Sequence, residues 1–264
     1  MAVPTLKMGE RKAWEQTLRR NALALALYCF GIALPCSAPT ALEQCGAEAK
    51  LLVSPKEVQK SVAALHAGGE SRREVYLFDT EGLGLLSQGA ILRLRTGAGP
   101  DLTVKLRYGE EGRLKNPSEE GEIFKCEVDL VGKAALTSHS LRSAWKSKPI
   151  PETGEALHAA LSAGQLKLLT AARISIDWHR VKRIAQVQAT DWEVRTDGPL
   201  RKVTVELWEW PGGKILELSA KTDPKRGPST MSQLREMALA SGLTVEKKQE
   251  PKTSLVLHAV TAVP

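Results

Sequence analysis

The sequence has few cysteines, few aromatic residues and no long apolar run. Its 264 residues include 4 cysteines, and aromatic residues make up 5% of the chain. So few cysteines exclude a fold that depends on a dense disulfide framework. The apolar run ALALALYCFGIAL at 22–34 is shorter than the roughly 20 residues that cross a membrane comfortably.

Several catalytic signatures are also absent. The 5 histidines are scattered and no HExxH or Cys/His metal spacing occurs, which argues against a zinc site. The segment GAGP at 97–100 lacks the Lys-Ser/Thr that completes a phosphate-binding loop. The sequence contains no nucleophile elbow, no specific nucleic-acid motif and no internal repeat. The common signatures of serine hydrolases and nucleic-acid-binding proteins therefore do not apply.

The residues that are present are sufficient for a packed domain. Apolar residues make up 42% of the chain, and charged residues of both signs are mixed along it. This composition is typical of a folded protein rather than a disordered one. The formal net charge is +7 at pH 7, and such an excess of cations favours an anionic partner without identifying it.

Residues 1–38 are predicted to be an export signal. Arg19 and Arg20 precede the apolar run, and PCSA at 35–38 supplies small residues for cleavage after Ala38. A charged start, an apolar middle and a small-residue cleavage site form the secretory pattern. We therefore expect an exported protein, periplasmic or secreted. The alternative is an N-terminal anchor that is not cleaved.

Two cysteines, Cys45 and Cys126, lie outside the predicted signal. An oxidising compartment favours a disulfide between them. Both residues lie in or beside predicted strands, so the bond requires those strands to be neighbours. The sequence by itself leaves the pairing open.

Residues 39–264 are predicted to form a single α+β domain, because about eight strands and two or three helices follow one another without a linker. The predicted strands are 45–53, 73–80, 90–96, 101–108, 122–130, 172–184, 191–196, 202–210 and 214–222. The predicted helices are 54–67, capped by Ser54, and 228–242, capped by Ser229 and ended by Gly242. Residues 131–170 are predicted to be mainly helical, and the tail to Pro264 to be extended.

The segment AILRLRTGAGPDLTVKLR at 90–107 predicts two paired strands with a cluster of cations. Arg93 and Arg95 alternate with apolar residues, as do Lys105 and Arg107. A strand sends alternate side chains to opposite faces, so each strand has one cationic face. Like charges side by side repel. The cluster therefore predicts that an anion binds to it.

Two architectures are consistent with this alternation. In the first, a sheet packs its apolar face on helices and its charged face meets water, as is common in antiparallel sheets. In the second, the sheet closes so that the charged faces point into a polar tunnel and helices cover the apolar faces. The alternation alone does not decide between them.

Three segments resemble the CYTH superfamily, also called triphosphate tunnel metalloenzymes: YLFDT at 76–80, GLGLLSQGAILRLR at 82–95 and LTVKLR at 102–107. Its members include thiamine triphosphatases, inorganic triphosphatases and class IV adenylate cyclases. The family pattern is an acidic first strand that ends in Lys, a helix, a Tyr-Asp-Thr strand, an Arg-x-Arg strand, a Thr-x-Lys strand and then acidic strands. Residues 46–130 follow this order, whereas the later residues agree only in general pattern.

The resemblance implies an eight-stranded antiparallel β tunnel with a charged interior and helices packed outside. Such a tunnel would bind triphosphate, a longer polyphosphate or another polyanion together with Mg²⁺ or Mn²⁺, and the metal would act as a Lewis acid. The implied phosphate-binding residues are Lys50, Arg93, Arg95, Lys105 and Arg107. The residues implied to face the metal or the attacking water are Glu48, Glu127, Asp129 and Glu217, of which Glu48 and Glu127 would be catalytic.

The chain departs from the family pattern at two places. Gly46 stands where the first acidic residue is expected, and Ser219 follows Glu217 where paired acids are common. Fewer carboxylates weaken metal binding, so polyanion binding is better supported than catalysis. Three functions stay open: a metal-dependent phosphohydrolase, a non-catalytic polyanion-binding module, and an interaction domain whose charged face meets a partner.

Overall fold

A computed structural model describes residues 45–108, 114–146 and 149–262. The predicted export signal lies outside these residues and stays a prediction. The described residues form nine strands, β1 (Gly46–Val53), β2 (Gly68–Asp79), β3 (Ala90–Gly97), β4 (Asp101–Tyr108), β5 (Ile123–Val131), β6 (Ala134–Ala144), β7 (Lys182–Arg195), β8 (Lys202–Trp210) and β9 (Gly213–Thr222). They close into a barrel in the order β1-β5-β6-β4-β3-β2-β7-β8-β9.

Helices pack against the strands of this barrel. They are α1 (Val58–Ala64), α2 (Gly84–Ser87), α3 (Gly154–Ala160), α4 (Ala163–Ala171), α5 (Gly227–Ala240) and α6 (Lys252–Thr261), with 3-10 turns at Pro55–Glu57, Trp178–Arg180 and Pro224–Arg226. Within the described part of the chain, no helix is both long enough and apolar enough to cross a membrane.

The prediction of eight antiparallel strands was wrong in strand number and in strand direction. The barrel is mixed, because β1 pairs in parallel with β5, with Gly46 opposite Glu127 and Lys50 opposite Val131. The other edge of β1 pairs antiparallel with β9. Local alternation shows which side chains share a face, but it carries no information on the direction of a partner strand far along the chain.

Strand β6 was not predicted, whereas the predicted strands 172–184 and 191–196 contribute to a single strand, β7. Residues 131–170 were predicted to be mainly helical, yet Ala134–Ala144 is a strand between β4 and β5. Its sequence AALTSHSLRSA is rich in small and polar residues and alternates weakly. Pairing with a neighbour on each edge decides its conformation, which is the tertiary effect that makes strand propensity depend on context.

Two further segments differ from the prediction. The predicted strand 172–184 begins only at Lys182, and Ile174, Ile176 and Trp178 pack on a hydrophobic cluster without joining the sheet at those positions. The C-terminal tail is not extended, because Lys252–Thr261 is a helix. Its Val256 and Leu257 are buried, and burial of an apolar face is the main source of stability for so short a helix.

The helix caps were predicted with mixed success. Gly242 follows the end of α5 with φ +72°, as expected for a glycine that ends a helix. Ser54 lies at the N-cap of the 3-10 turn Pro55–Glu57 but makes no side-chain capping hydrogen bond. The N-cap residue of α5 is Arg226 rather than Ser229, and it makes no such bond either. The 3-10 turn that precedes α5 is capped by Asp223 instead.

The apolar faces of the strands pack beneath the helices in two large clusters. In the first, Leu92 and Leu94 of β3 and Val104 of β4 lie against Leu157 of α3 and Leu168 of α4. In the second, strands β1, β8 and β9 pack against α1 and α5, through residues that include Leu51, Val205, Leu218, Val62 and Leu234. The alternate residues of the same strands are mainly polar or charged, but Ile91 of β3, Trp208 of β8 and Ile215 of β9 are apolar.

A third cluster anchors the C-terminal helix. Val256 and Leu257 of α6 pack with Val75 of β2, Val187 of β7 and Trp208 of β8. The helix is therefore held by strands from one half of the barrel, and its first residue, Lys252, has a defined position.

Cys45 and Cys126 form a disulfide. The parallel register that aligns Gly46 with Glu127 also aligns the two cysteines that precede them. The sequence left open whether the strands near the two cysteines are neighbours. In the structure, β1 and β5 are paired.

Asp79, in the YLFDT segment, organises the turn between β2 and β3. This aspartate is 1% exposed. One of its oxygens accepts hydrogen bonds from the backbone N–H groups of Thr80 and Leu85, and the other accepts from that of Leu86. The Thr80 hydroxyl accepts from the N–H of Gly84. These contacts satisfy the free N–H groups at the start of α2.

We expect the substitution Asp79→Ala to lower the free energy of unfolding by about 3 kcal/mol, because it leaves several buried N–H groups without an acceptor. Asp79→Asn keeps one oxygen acceptor and should cost about half as much. Urea unfolding measures both values. A change for Asp79→Ala of less than about 0.5 kcal/mol, as for an ordinary surface substitution, would show that the turn does not depend on this carboxylate.

Candidate functional site

A cavity lies between strands β1, β3, β4, β5 and β9 and the start of α6. Its polar lining residues are Lys50, Arg93, Thr103, Lys105, Arg107, Asp129, Glu217, Lys252 and Thr253. Ile91, Val131 and Pro251 complete the lining. Six of the residues that the sequence predicted for phosphate or metal binding thus lie around one cavity: Lys50, Arg93, Lys105, Arg107, Asp129 and Glu217.

Strand register brings the cations of β3 and β4 together. Arg93 lies opposite Thr103, and Lys105 lies opposite Ile91. Because alternate side chains point the same way, Arg93, Lys105 and Arg107 share one side of this strand pair. The opposite side is the buried apolar face already described. The side chain of Lys105 is only 15% exposed, so this ammonium group is largely shielded from water.

Asp129 is held between two lysines. The Lys50 Nζ and Lys105 Nζ each lie 2.6 Å from one of its carboxylate oxygens, and Asp129 is 0% exposed. Burial alone would raise the pKa of Asp129, but Lys105 and Lys50 hold that pKa well below its usual range. The carboxylate is therefore a fixed negative charge whose two oxygens are both engaged.

Glu48 belongs to the same network on β1. Its carboxylate lies 3.1 Å from the Lys50 Nζ, and Glu48 is opposite Asp129 in the parallel ladder. Burial opposes ionisation of Glu48, whereas Lys50 lowers its pKa below the usual value. Burial likewise opposes the charge on Lys50, but Asp129 and Glu48 raise the Lys50 pKa above the ordinary lysine value.

The arginines of the site differ in how they are paired. Arg95 donates to Asp101 from Nε at 2.9 Å and from Nη2 at 2.5 Å. Arg107 donates to the Ser254 hydroxyl at 3.3 Å. Among the residues that the structure describes, Arg93 makes no ion pair, and its Nε is buried without a hydrogen-bond partner. The Nε atoms of Arg73 and Arg107 are also buried without a partner.

Burial and repulsion leave two cations short of negative charge. Burial, and then the neighbouring Arg95, lower the pKa of Arg93 to about 9. Burial lowers the pKa of Lys105 to about 8, although Asp129 opposes this shift. A guanidinium keeps its proton in proteins. Asp101 opposes the lowering of the Arg93 pKa, but burial and the neighbouring arginines outweigh it.

Lys252 is a site residue that sequence reasoning missed. It is the first residue of α6, and its Nζ lies 2.8 Å from a Glu217 oxygen and also contacts Glu206. The Nζ is 4.9 Å from the centre of the Trp208 ring. The tail was predicted to be extended, so Lys252 had no place in a site. The helical spacing of Val256 and Val260 after Pro251 was the available signal.

The pKa of Glu217 is shifted in the opposite direction from that of Asp129. Glu217 is 2% exposed, and burial raises its pKa to about 7. Burial also lowers the pKa of Lys252. The 2.8 Å hydrogen bond joins these two groups directly.

Three predicted site residues do not line the cavity. Glu48 contacts Lys50, and Arg95 contacts Asp101. Glu127 lies two residues before Asp129 on β5 and is partly exposed. The roles predicted for these three residues in binding phosphate or metal stay predictions.

The carboxylates near the cavity do not form an open metal site. Across residues 45–108, 114–146 and 149–262, no three His, Cys, Asp or Glu side chains are grouped so that they could hold a metal ion. The two oxygens of Asp129 accept from lysines, and Glu217 accepts from Lys252. A divalent cation needs several free oxygen ligands, so these residues as arranged do not fit one.

Comparison with solved structures identifies the same fold in two other proteins. A protein from Hippeastrum, described as a candidate adenylyl cyclase with a dominant triphosphatase activity, has a TM-score of 0.53 at 15% identity and covers 79% of this chain and 93% of its own. A candidate adenylate cyclase from Bacillus halodurans has a TM-score of 0.51 at 15% identity, over 80% of this chain and 96% of its own.

Comparisons of sequence identify no relative. The chain matches no protein-family model, and no curated protein matches it. The likeness to the two solved structures is therefore one of fold.

Proposed function

We propose that this chain, which has the fold of CYTH-type adenylate cyclases and triphosphatases, binds triphosphate or a longer polyphosphate in the cavity described above. In this proposal the cavity is part of a polar tunnel, towards which the charged faces of β1, β3, β4, β5 and β9 are turned. The apolar faces of these strands are covered by helices.

The observation that carries the proposal is Arg93, a largely shielded cation with no ion pair among the described residues. A buried charge without a partner costs several kcal/mol. A phosphate oxygen removes this cost, because guanidinium donors match phosphate geometry. The unpartnered Nε atoms of Arg73 and Arg107 offer further donors nearby.

Binding requires side chains to move. The cavity has a volume of about 50 Å³, which holds a few water molecules but not a triphosphate. Lys50 and Lys105 are long, flexible side chains that reach the cavity from opposite strands and now meet at Asp129. Rotation of these two ammonium groups from Asp129 towards phosphate would enlarge the cavity and supply charge to the ligand.

Titration calorimetry of the purified protein with tripolyphosphate tests this function. We expect saturable binding that weakens as salt is added, because the contacts are between charges. Tripolyphosphate should bind more tightly than pyrophosphate, and pyrophosphate more tightly than orthophosphate, since each added phosphate meets further cations. No saturable binding of any of the three would leave an interaction domain as the remaining function.

Hydrolysis is a second candidate function, favoured by the triphosphatase activity described for the Hippeastrum protein. Phosphate release from tripolyphosphate, measured with and without Mg²⁺ or Mn²⁺, separates the two functions. Metal-dependent release that is lost in Glu127→Gln would identify an enzyme. Binding without release would identify a polyanion-binding protein.

Export remains part of the proposal. The disulfide between Cys45 and Cys126 supports it, because such bonds persist mainly in oxidising compartments. We expect mass spectrometry of the protein purified from its native envelope or medium to find a new N-terminus after Ala38.

A further inference from the structure

Two acidic side chains face each other on neighbouring strands next to the cavity. Glu206 of β8 lies directly opposite Glu217 of β9, and the Glu217 side chain is 3% exposed. Like charges directly opposite in a sheet are destabilising. A cation beside these two carboxylates relieves that repulsion.

The cation that the chain supplies is Lys252. Its ammonium group contacts Glu206 and Glu217 and lies over the ring of Trp208, where a cation is attracted to the aromatic face. The Trp208 Nε1 in turn donates to the second oxygen of Glu206 at 2.7 Å. A side chain of the protein itself thus supplies one positive charge between the two acids.

The position of Lys252 in its helix indicates that the carboxylates hold it. A helix N-terminus carries partial positive charge, so a lysine there is unfavourable by itself. Lys252 is nevertheless the first residue of α6, and the helix is fixed by the burial of Val256 and Leu257. The attraction of Glu206 and Glu217 outweighs the repulsion from the helix terminus.

We propose that the Lys252 ammonium is a built-in counter-ion that occupies the place of a divalent metal ion at Glu206 and Glu217, so that the chain binds its polyanion without metal. The claim that a polyanion binds rests on the proposed function, whereas the claim that Lys252 takes the place of a metal ion does not. Lys252 also lines the cavity beside Arg93 and Lys105, which places its charge where a bound phosphate would lie.

The first test uses the unmodified protein. Titration with Mn²⁺ alone, followed by electron paramagnetic resonance, should show no saturable site at millimolar concentrations. The dissociation constant of tripolyphosphate should change by less than about twofold when EDTA is added, since no contact to a metal is lost. Saturable Mn²⁺ binding, or loss of tripolyphosphate binding in EDTA with recovery in Mn²⁺, would overturn the proposal.

The second test compares variants at the same position. Lys252→Met should create a Mn²⁺ site from the released carboxylates, whereas Lys252→Arg keeps the positive charge and should bind no Mn²⁺. Lys248→Met removes an exposed lysine that pairs with Glu250 and is the matched control. A folded Lys252→Met variant that binds no more Mn²⁺ than the control would contradict the proposal.

The two tests separate this inference from the proposed function. If tripolyphosphate binds neither with nor without metal, the proposed function fails, and the Mn²⁺ titration still decides whether Lys252 excludes a metal. If Lys252→Met does not fold, the response of the unmodified protein to Mn²⁺ and EDTA still supports or overturns the proposal.

Discussion

The substitution Arg93→Met weakens tripolyphosphate binding by roughly 10- to 100-fold and leaves the free protein at least as stable as before. The loss corresponds to the roughly 1.5–3 kcal/mol expected for a hydrogen bond to a charged group. Arg93 has no ion-pair partner among the described residues. The substitution therefore removes a contact to the ligand and no salt bridge within the protein.

The free energy of unfolding of the Arg93→Met variant distinguishes a binding role of Arg93 from a structural one. An apolar side chain of similar size in place of an unpaired, shielded cation is neutral or stabilising. In contrast, Arg95→Met should lower the free energy of unfolding, because Asp101 is 3% exposed and would lose its partner. The same strand thus contains one arginine that we expect to serve the ligand and one that also supports the fold.

Calorimetry and urea unfolding measure the two effects. Arg235→Met, on the exposed surface of α5, is the control and should change neither quantity. Unchanged tripolyphosphate affinity in Arg93→Met would remove the main support for the proposed function. A large loss of stability in Arg93→Met would show that the guanidinium has a structural role.

The second large effect concerns the disulfide. Reduction of the Cys45–Cys126 bond should lower the free energy of unfolding by about 4–5 kcal/mol, from the chain-entropy relation for a sequence separation of 81 residues. The bond joins β1 to β5, the parallel pair. Its loss should therefore act on the seam that brings Lys50 and Asp129 together.

Urea unfolding with and without a thiol reductant measures this effect. The double variant Cys45→Ser with Cys126→Ser should be as unstable as the reduced protein and should not respond to reductant. If the reductant lowers the stability of the unmodified protein by less than about 1 kcal/mol, the denatured chain is already restrained in some other way.

The local elements of the first half of the chain were predictable. Regular alternation in β3 and β4 and the turn GAGP between them are signals within a short window, and the structure has these strands at Ala90–Gly97 and Asp101–Tyr108. The cationic side of this strand pair followed from the same alternation. Lys105 and Arg107 accordingly line the cavity together with Arg93.

Strands β8 and β9 and helix α5 were predicted closely, but two other segments were not, because their signals are weak within a short window. Strand β6 has small polar residues and depends on pairing with β4 and β5. The tail becomes a helix because Val256 and Leu257 are buried against β2, β7 and β8. Lys252 could not be assigned to the site until that packing was known.

Alternation along each strand was enough to establish which side chains share a face, because it follows from backbone geometry alone. Only the tertiary structure decided which faces meet: the parallel pairing of β1 with β5, the engagement of Asp129 by Lys50 and Lys105, and the contact of Lys252 with Glu206 and Glu217. These contacts join residues far apart along the chain. Their energies depend on distance and burial in the folded protein, which no local pattern contains.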